Sequence, residues 1–290
     1  MCKNIKIKDI TAKNSPRWTI HPMCCENVEI SSVTVLNPYS SPNTDGINPE
    51  SCKNVMISNC HIDVGDDCVT IKSGTEDDTL QKQRPCENIT VTNCTMSHGH
   101  GGVVIGSEMS GGVKNVVISN CVFQNTDRGI RIKSRRNRGG CVDGIIVGNI
   151  IMDRVKCAVT VNEFYWCGAP KDSGHLFDEK SMPVTHLTPK ISNISINGII
   201  AKNAPAVGIY MYGLPECNIS DITINNADIT VTGCKEGFEA VLVYNRPLSF
   251  GDGIVMENVK DVCMNGVKIS GGNGVAVKNC TNVTFNGENL

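Results

Sequence analysis

Residues 52–62 read CKNVMISNCHI, and the rest of the chain is largely variation on that phrase. Val55 and Ile57 alternate with polar neighbours, the two-residue period of a half-buried strand. Generalised to x-x-N-[VI]-x-[IV]-x-[ND]-x-x-[VI], the phrase also occurs as CKNIKIKDITA at 2–12 and CENVEISSVTV at 25–35. It returns as CENITVTNCTM at 86–96 and VKNVVISNCVF at 113–123. Weaker copies begin at Val142, Ile191, Ile219, Val259 and Cys280, mostly 21 to 34 residues apart, with longer intervals of 49 residues before Ile191 and 40 before Val259. Between copies lies a second short strand of the form V-x-[IV]-x, as at Val69, Val103, Ile130, Val159, Ile209, Val241 and Val275.

Units of this length with short strands and no sustained 3.6-residue period imply an all-β solenoid, a parallel β-helix forming one domain over residues 1–290. A leucine-rich solenoid would show Leu at fixed positions, and a propeller would need longer, four-stranded units. Stacked coils also account for the composition. The 290 residues include 30 asparagines, 28 glycines and 16 cysteines but only 4% aromatics. Asn repeated at one turn position suits an amide ladder, and Cys repeated at one inward position suits a thiol stack. With no CxxC pair and no zinc spacing, the cysteines are expected to be reduced, buried small hydrophobes. The formal net charge of −2 gives no bulk attraction for nucleic acid or an anionic membrane. No apolar run approaches the ~20 residues of a membrane helix. The Asn-x-Ser/Thr matches at Asn88, Asn93, Asn193, Asn218, Asn279 and Asn282 mostly fall out of the repeat and carry little weight as glycosylation sites.

Outward positions of a solenoid are normally bland, so departures stand out. Aligning the second strands on their first apolar residue puts Asp45 and Asp67 two places before Ile47 and Val69, in one column with Gly101 and Arg128. Thr44, Asp66, His100 and Asp127 form the adjacent column. Thr70 and Lys72 follow one reference residue; Arg131 and Lys133 follow another. Asp45 and Asp67 should then sit one rung apart, about 5 Å. Carboxylates that close repel, so one should be held protonated beside an ionised neighbour. An acid beside a base is what glycoside hydrolysis requires, and the nearby cations suit a substrate carboxylate. Taken singly, Asp45-Gly46 is also a turn signal, Asp66-Asp67 a calcium pair or solvated turn, and His100 a turn residue. Their alignment on consecutive coils favours a catalytic site.

Asn43-Thr44-Asp45, Gly65-Asp66-Asp67, Gly99-His100-Gly101 and Arg131-Ile132-Lys133 together resemble, in order and spacing, the four signature motifs of glycoside hydrolase family 28, the polygalacturonases. The resemblance implies a right-handed parallel β-helix that hydrolyses pectin with inversion. It implies Asp66 as general acid, Asp45 and Asp67 as the pair activating water, and His100 as support for the acid. Arg131 and Lys133 would bind the galacturonate carboxylate, with Asn43 and Lys72 beside them. No metal or organic cofactor is implied. The intact His and Arg-x-Lys motifs favour homogalacturonan or its oligomers over rhamnogalacturonan. The stretches 97–102 and 134–140 look like a bacterial, often exo-acting branch. Other readings are a calcium-dependent lyase-like β-helix and a non-catalytic polysaccharide binder.

Arg135, Arg136 and Arg138 are read either as further carboxylate contacts or as a solvated basic turn. The stretch 162–189, with Tyr165, Trp166, His175 and His186, is read either as a wall of the cleft or as a plain loop. The repeat starts at Cys2, where the family has further coils and a cap, so an uncovered N-terminal edge is expected. The expected partner is a galacturonan poly- or oligosaccharide, bound by a monomer. The absence of a signal-like segment at residues 1–10 gives an expectation of cytoplasmic oligomer processing; a missing N-terminus would instead place the protein in the periplasm or outside the cell.

Overall fold

The computed structural model describes residues 1–78, 83–169, 172–243 and 246–290. Its regular structure is β throughout, apart from one 3-10 turn at Gly174–Phe177. The chain winds as a right-handed parallel β-helix, the hand expected of parallel crossovers. The repeat phrases stack in a fifteen-stranded sheet and the second strands in a seven-stranded one. The latter comprises Val69–Ile71, Val103–Gly106, Arg128–Lys133, Cys157–Asn162, Val207–Tyr212, Asp252–Glu257 and Val275–Lys278.

Registry makes each phrase position a ladder. Ile5, Val28, Val55, Ile89, Val116, Ile145, Ile194, Ile222, Val262 and Val283 are successive partners. From Val28 onward this column is buried, and its β-branched side chains pack well on a pleated surface. The amide ladder is present. Asn27 Nδ2 donates to Asn4 Oδ1 (3.0 Å), Asn54 to Asn27 (2.9 Å), Asn88 to Asn54 (3.0 Å) and Asn115 to Asn88 (3.1 Å). All five have φ between 56° and 59°, the left-handed region that Asn tolerates better than most residues.

Thiols stack as well. Strand register puts Cys25, Cys52 and Cys86 in one column and Cys60, Cys94 and Cys121 in another. All sixteen cysteines are free thiols. Burial pushes Cys52 up to about 11, as suits an inert hydrophobe, whereas Cys2 and Cys167 are exposed, against the expectation that the thiols are buried.

One expected strand is not there. Val241, Leu242 and Val243 do not form a rung, and Tyr244 lies outside the described residues. The rung before the phrase at Val259 is Asp252–Glu257, paired with Val207–Tyr212. Val241 and Val243 instead pack with Phe164, Tyr210, Tyr212 and Leu214 in a second apolar cluster outside the solenoid bore. At the N-terminal end, Lys3–Lys8 pairs with Glu26–Ser31. Lys3 pairs with Glu26, and Lys6 and Lys8 with Glu29, linking the two coils by charge.

Candidate active site

Bridges from Ile47 to Val69, Val69 to Val103 and Val103 to Ile130 set the register of four coils. Asp45 and Asp67 thereby fall in one column, with Asp66 and His100 in the next, and the side chains converge. One oxygen each of Asp45, Asp66 and Asp67 lies within 4.8 Å of the others. Gly101 keeps the space open: a Cβ there would sit 2.4 Å from Val104 Cγ2 and 3.1 Å from Asp67 Oδ1.

The three carboxyls have different surroundings. Asp67 is buried; its Oδ1 accepts from Arg131 Nη1 at 3.1 Å and its Oδ2 from Lys133 Nζ at 2.7 Å. Burial alone would raise its pKa, but the Lys133 and Arg131 charges outweigh that and hold it far below the usual carboxylate range. Asp45 is also buried. Its Oδ2 accepts from Asn48 Nδ2 at 2.9 Å and Thr70 Oγ1 at 3.2 Å, with Lys72 Nζ 3.9 Å away. Here burial wins: against the pull of Lys72 and with repulsion from Asp67 and Asp66, the carboxyl is pushed up to about 6.

Asp66 is the most open of the three, its side chain 20% exposed against 3% for Asp45 and 1% for Asp67. His100 Nδ1 stands 3.2 Å from its Oδ1, and the Asn43 backbone N–H donates to its Oδ2 at 3.2 Å. Burial pushes Asp66 up, but the His100 hydrogen bond and the His100 and Lys133 charges bring it below its usual value. The same hydrogen bond raises His100. Of the three, Asp45 is therefore the first to take up a proton as pH falls, while the family resemblance assigns the acid role to Asp66.

Three carboxylates are also an oxygen set of the kind hard cations take. Both Asp67 oxygens are already engaged by Arg131 and Lys133, however, so side-chain cations supply much of the neutralising charge.

Arg131 and Lys133 are buried beneath Tyr165, 5.5 Å and 5.1 Å from its ring centre. Arg131 keeps one buried amino group, Nη2, without a hydrogen-bond partner. Lys72, expected as a substrate ligand, lies away from the open part of the site. It is buried, gives its ammonium to Glu108 Oε2 at 2.7 Å and stands 4.4 Å over the Trp18 ring.

The three arginines of 134–140 are neither free cleft cations nor a solvated turn. Arg135 and Arg138 both bind Glu76, while Arg136 binds Glu216 and the carbonyls of Leu176, Asp178 and Lys180. All three are buried. The insert after Asn162 walls the site through Tyr165, which also bridges to Val243. Arg128 locks the opposing segment by donating to the carbonyls of Ala240 (2.7 Å) and Glu239. Asn48, Glu108 and Trp18 were not singled out from the sequence. Trp18, one of only two tryptophans, was the most conspicuous of them.

Residues 1–174 match the family described as Glycosyl hydrolases family 28. Among curated proteins, a probable polygalacturonase of Vitis vinifera is 36% identical over 227 residues, 78% of this chain and 44% of that protein. A probable polygalacturonase of Arabidopsis thaliana is 34% identical, covering 72% of this chain and 42% of its own length. The chain thus spans about half the length of the curated relatives it matches. Among solved structures, a hyperthermoactive exopolygalacturonase of Thermotoga maritima superposes with a TM-score of 0.69 at 32% identity, covering 91% of this chain and 53% of that one. A polygalacturonase of Erwinia carotovora shares the fold at TM-score 0.65 and 22% identity, covering 89% and 57%. The sequence relatives are plant proteins, so the expected bacterial branch is not supported by them.

Proposed function

Because this chain belongs to family 28 of the glycosyl hydrolases, we propose that it hydrolyses α-1,4 bonds between galacturonate residues with inversion at the anomeric carbon, in polygalacturonate or its oligomers. The observation that carries this reading is the convergence of three carboxyls on one face beside the Arg131 and Lys133 cations. Cations at this end of an acid cluster fit the carboxylate of a sugar acid.

Asp66, the carboxyl with most access to the cleft, gives its proton to the glycosidic oxygen. Asp45 and Asp67 orient a water that attacks the anomeric carbon from the other face; Asp45 takes up the one proton it loses, and the second hydrogen stays on the new anomeric hydroxyl. In the free protein Asp66 is held low by His100. A substrate carboxylate arriving at Arg131 and Lys133 brings negative charge close by, and this raises Asp66 toward its protonated form. Asp45 must be ionised to accept a proton, so the rate should fall as pH drops through about 6.

Tyr165 and the segment around Ala240 stand at the Arg131 and Lys133 end of the cleft, which supports cleavage near a chain end with short products. We also propose that the molecule works as a single-domain monomer. Its buried free thiols suit a reducing compartment, consistent with cytoplasmic processing of oligomers; cell fractionation tests that placement.

The deciding experiment is a reducing-sugar assay on polygalacturonate, rhamnogalacturonan and digalacturonate, with Asp66→Asn as control. Hydrolysis of the first and third, lost in the variant, is expected. An unsaturated, ultraviolet-absorbing product would instead identify a lyase. Proton NMR of the first-formed anomer checks inversion.

A further inference from the structure

Lys72 is buried between two carboxylates, and its position is unequal. Its Nζ is 2.7 Å from Glu108 Oε2 and 3.9 Å from Asp45 Oδ2, with the Trp18 ring 4.4 Å away. Glu108 is itself held. Ser107 Oγ donates to its Oε1 at 3.1 Å, Arg138 Nη2 stands 3.8 Å from that oxygen, and the Glu108 carbonyl accepts from the Ser73 N–H at 2.8 Å. Burial would raise Glu108, but the charge and hydrogen bond of Lys72 hold it far below the usual carboxylate range, so it is a fixed anion wherever the enzyme works.

We propose that Glu108 is a positioning residue that holds the Lys72 ammonium off Asp45 and against Trp18, leaving Asp45 free to exchange a proton during the reaction. The proposal rests on the galacturonan-hydrolase reading for its purpose, but its geometry stands without it. Asp45 faces Asn48 and Thr70 as donors, Asp66 and Asp67 as like charges, and Lys72 and Lys133 as cations. Of these, among the described residues, the Lys72 ammonium is in direct contact with an anion outside the reacting cluster, Glu108, which also feels the Lys133 charge. If Glu108 lost its charge, the nearest remaining carboxylate for a buried ammonium would be Asp45. A full ion pair there would fix Asp45 as a permanent anion, as Arg131 and Lys133 already do for Asp67. The site would then lose the difference between its two buried carboxyls.

The test uses carbon-13 NMR of the side-chain carboxyls, with the Asp45 signal assigned by Asp45→Asn, so it needs no turnover. In the wild type the Asp45 midpoint is expected at about 6. Glu108→Gln should lower it by about one unit or more, and Lys72→Met should raise it. In a Lys72→Met background the effect of Glu108→Gln should shrink to a small fraction of its wild-type size. Glu76→Gln releases Arg135 and Arg138 while the Lys72–Glu108 contact stays in place, and it should leave the midpoint unchanged. Fluorescence of Trp18, read in a Trp166→Phe protein, should change when Glu108→Gln removes the ammonium from the ring. An unmoved or raised midpoint in Glu108→Gln overturns the proposal, as does an equal shift with and without Lys72. Failure to hydrolyse polygalacturonate, with these shifts present, sinks the substrate assignment and leaves the Glu108 role standing. In an active enzyme the acid limb of kcat against pH should move with the midpoint.

Discussion

A single buried carboxyl outside the reacting cluster shows how closely this protein controls protonation. Glu163 is fully buried; its Oε2 accepts from the Leu214 N–H at 3.0 Å and its Oε1 has no partner. Burial raises its pKa well above the ordinary value. A carboxyl raised in the folded state imposes no penalty below its unfolded pKa and a growing one as pH climbs toward its folded value. Glu163→Gln removes that titration, so its melting temperature should exceed the wild type's at pH 8 and not at pH 4. Thermal melts at both values check this, and a constant difference would place the effect in packing instead. His100 is the opposite case, raised by Asp66. His100→Ala should release Asp66 upward and so carry the alkaline limb of kcat to higher pH, as a pH–rate profile will show.

Strand and turn ladders account for most of what the sequence made legible, and for what it hid. The column holding Asp45 and Asp67 was readable because V-x-I alternation fixes register to the residue: a one-place slip would turn the whole apolar set outward. The same alternation misplaced Val241 and Val243, since it reports a half-buried strand without saying what covers it. The true rung, Asp252–Glu257, lies past the insert. The arginines at 135, 136 and 138 were unreadable for another reason: their partners Glu76 and Glu216 are 59 to 80 residues away, and no local pattern encodes such distances. The amide ladder gives a test at this scale. Asn54 both donates to and accepts from ladder neighbours at φ 57°. Asn54→Gly keeps the backbone conformation and loses the amide bonds, costing about 1–2 kcal/mol. Asn54→Ala adds about 1 kcal/mol more for the left-handed backbone. Urea denaturation should rank them in that order; equal losses would mean the turn conformation contributes little.

Across the molecule, the second strands supply the face that carries the candidate site, and two long excursions close its end. Stretch 163–189 brings Tyr165 over Arg131 and Lys133. Stretch 232–251 packs Val241 and Val243 behind it, and the two meet at the Tyr165–Val243 bridge. Arg128 joins the second stretch to the solenoid. It lies on the rung of Arg131, donates to the carbonyls of Glu239 and Ala240, and stacks over Phe238 at 4.9 Å. A buried guanidinium whose donors end on two backbone carbonyls is a latch, and it acts beside Asn162 Nδ2 on the Val241 carbonyl and the Trp166 N–H on the Leu242 carbonyl. Arg128→Met keeps much of the side-chain volume and removes the donors, so the solenoid should survive while the segment loosens. If the wall sets product length, the variant should release longer oligomers from polygalacturonate early in the reaction, and its rate on digalacturonate should fall relative to polymer. Chromatography of products over time, beside far-ultraviolet circular dichroism to verify the fold, decides it. A folded variant with an unchanged product ladder would mean that the wall does not limit how far the substrate extends past Lys133.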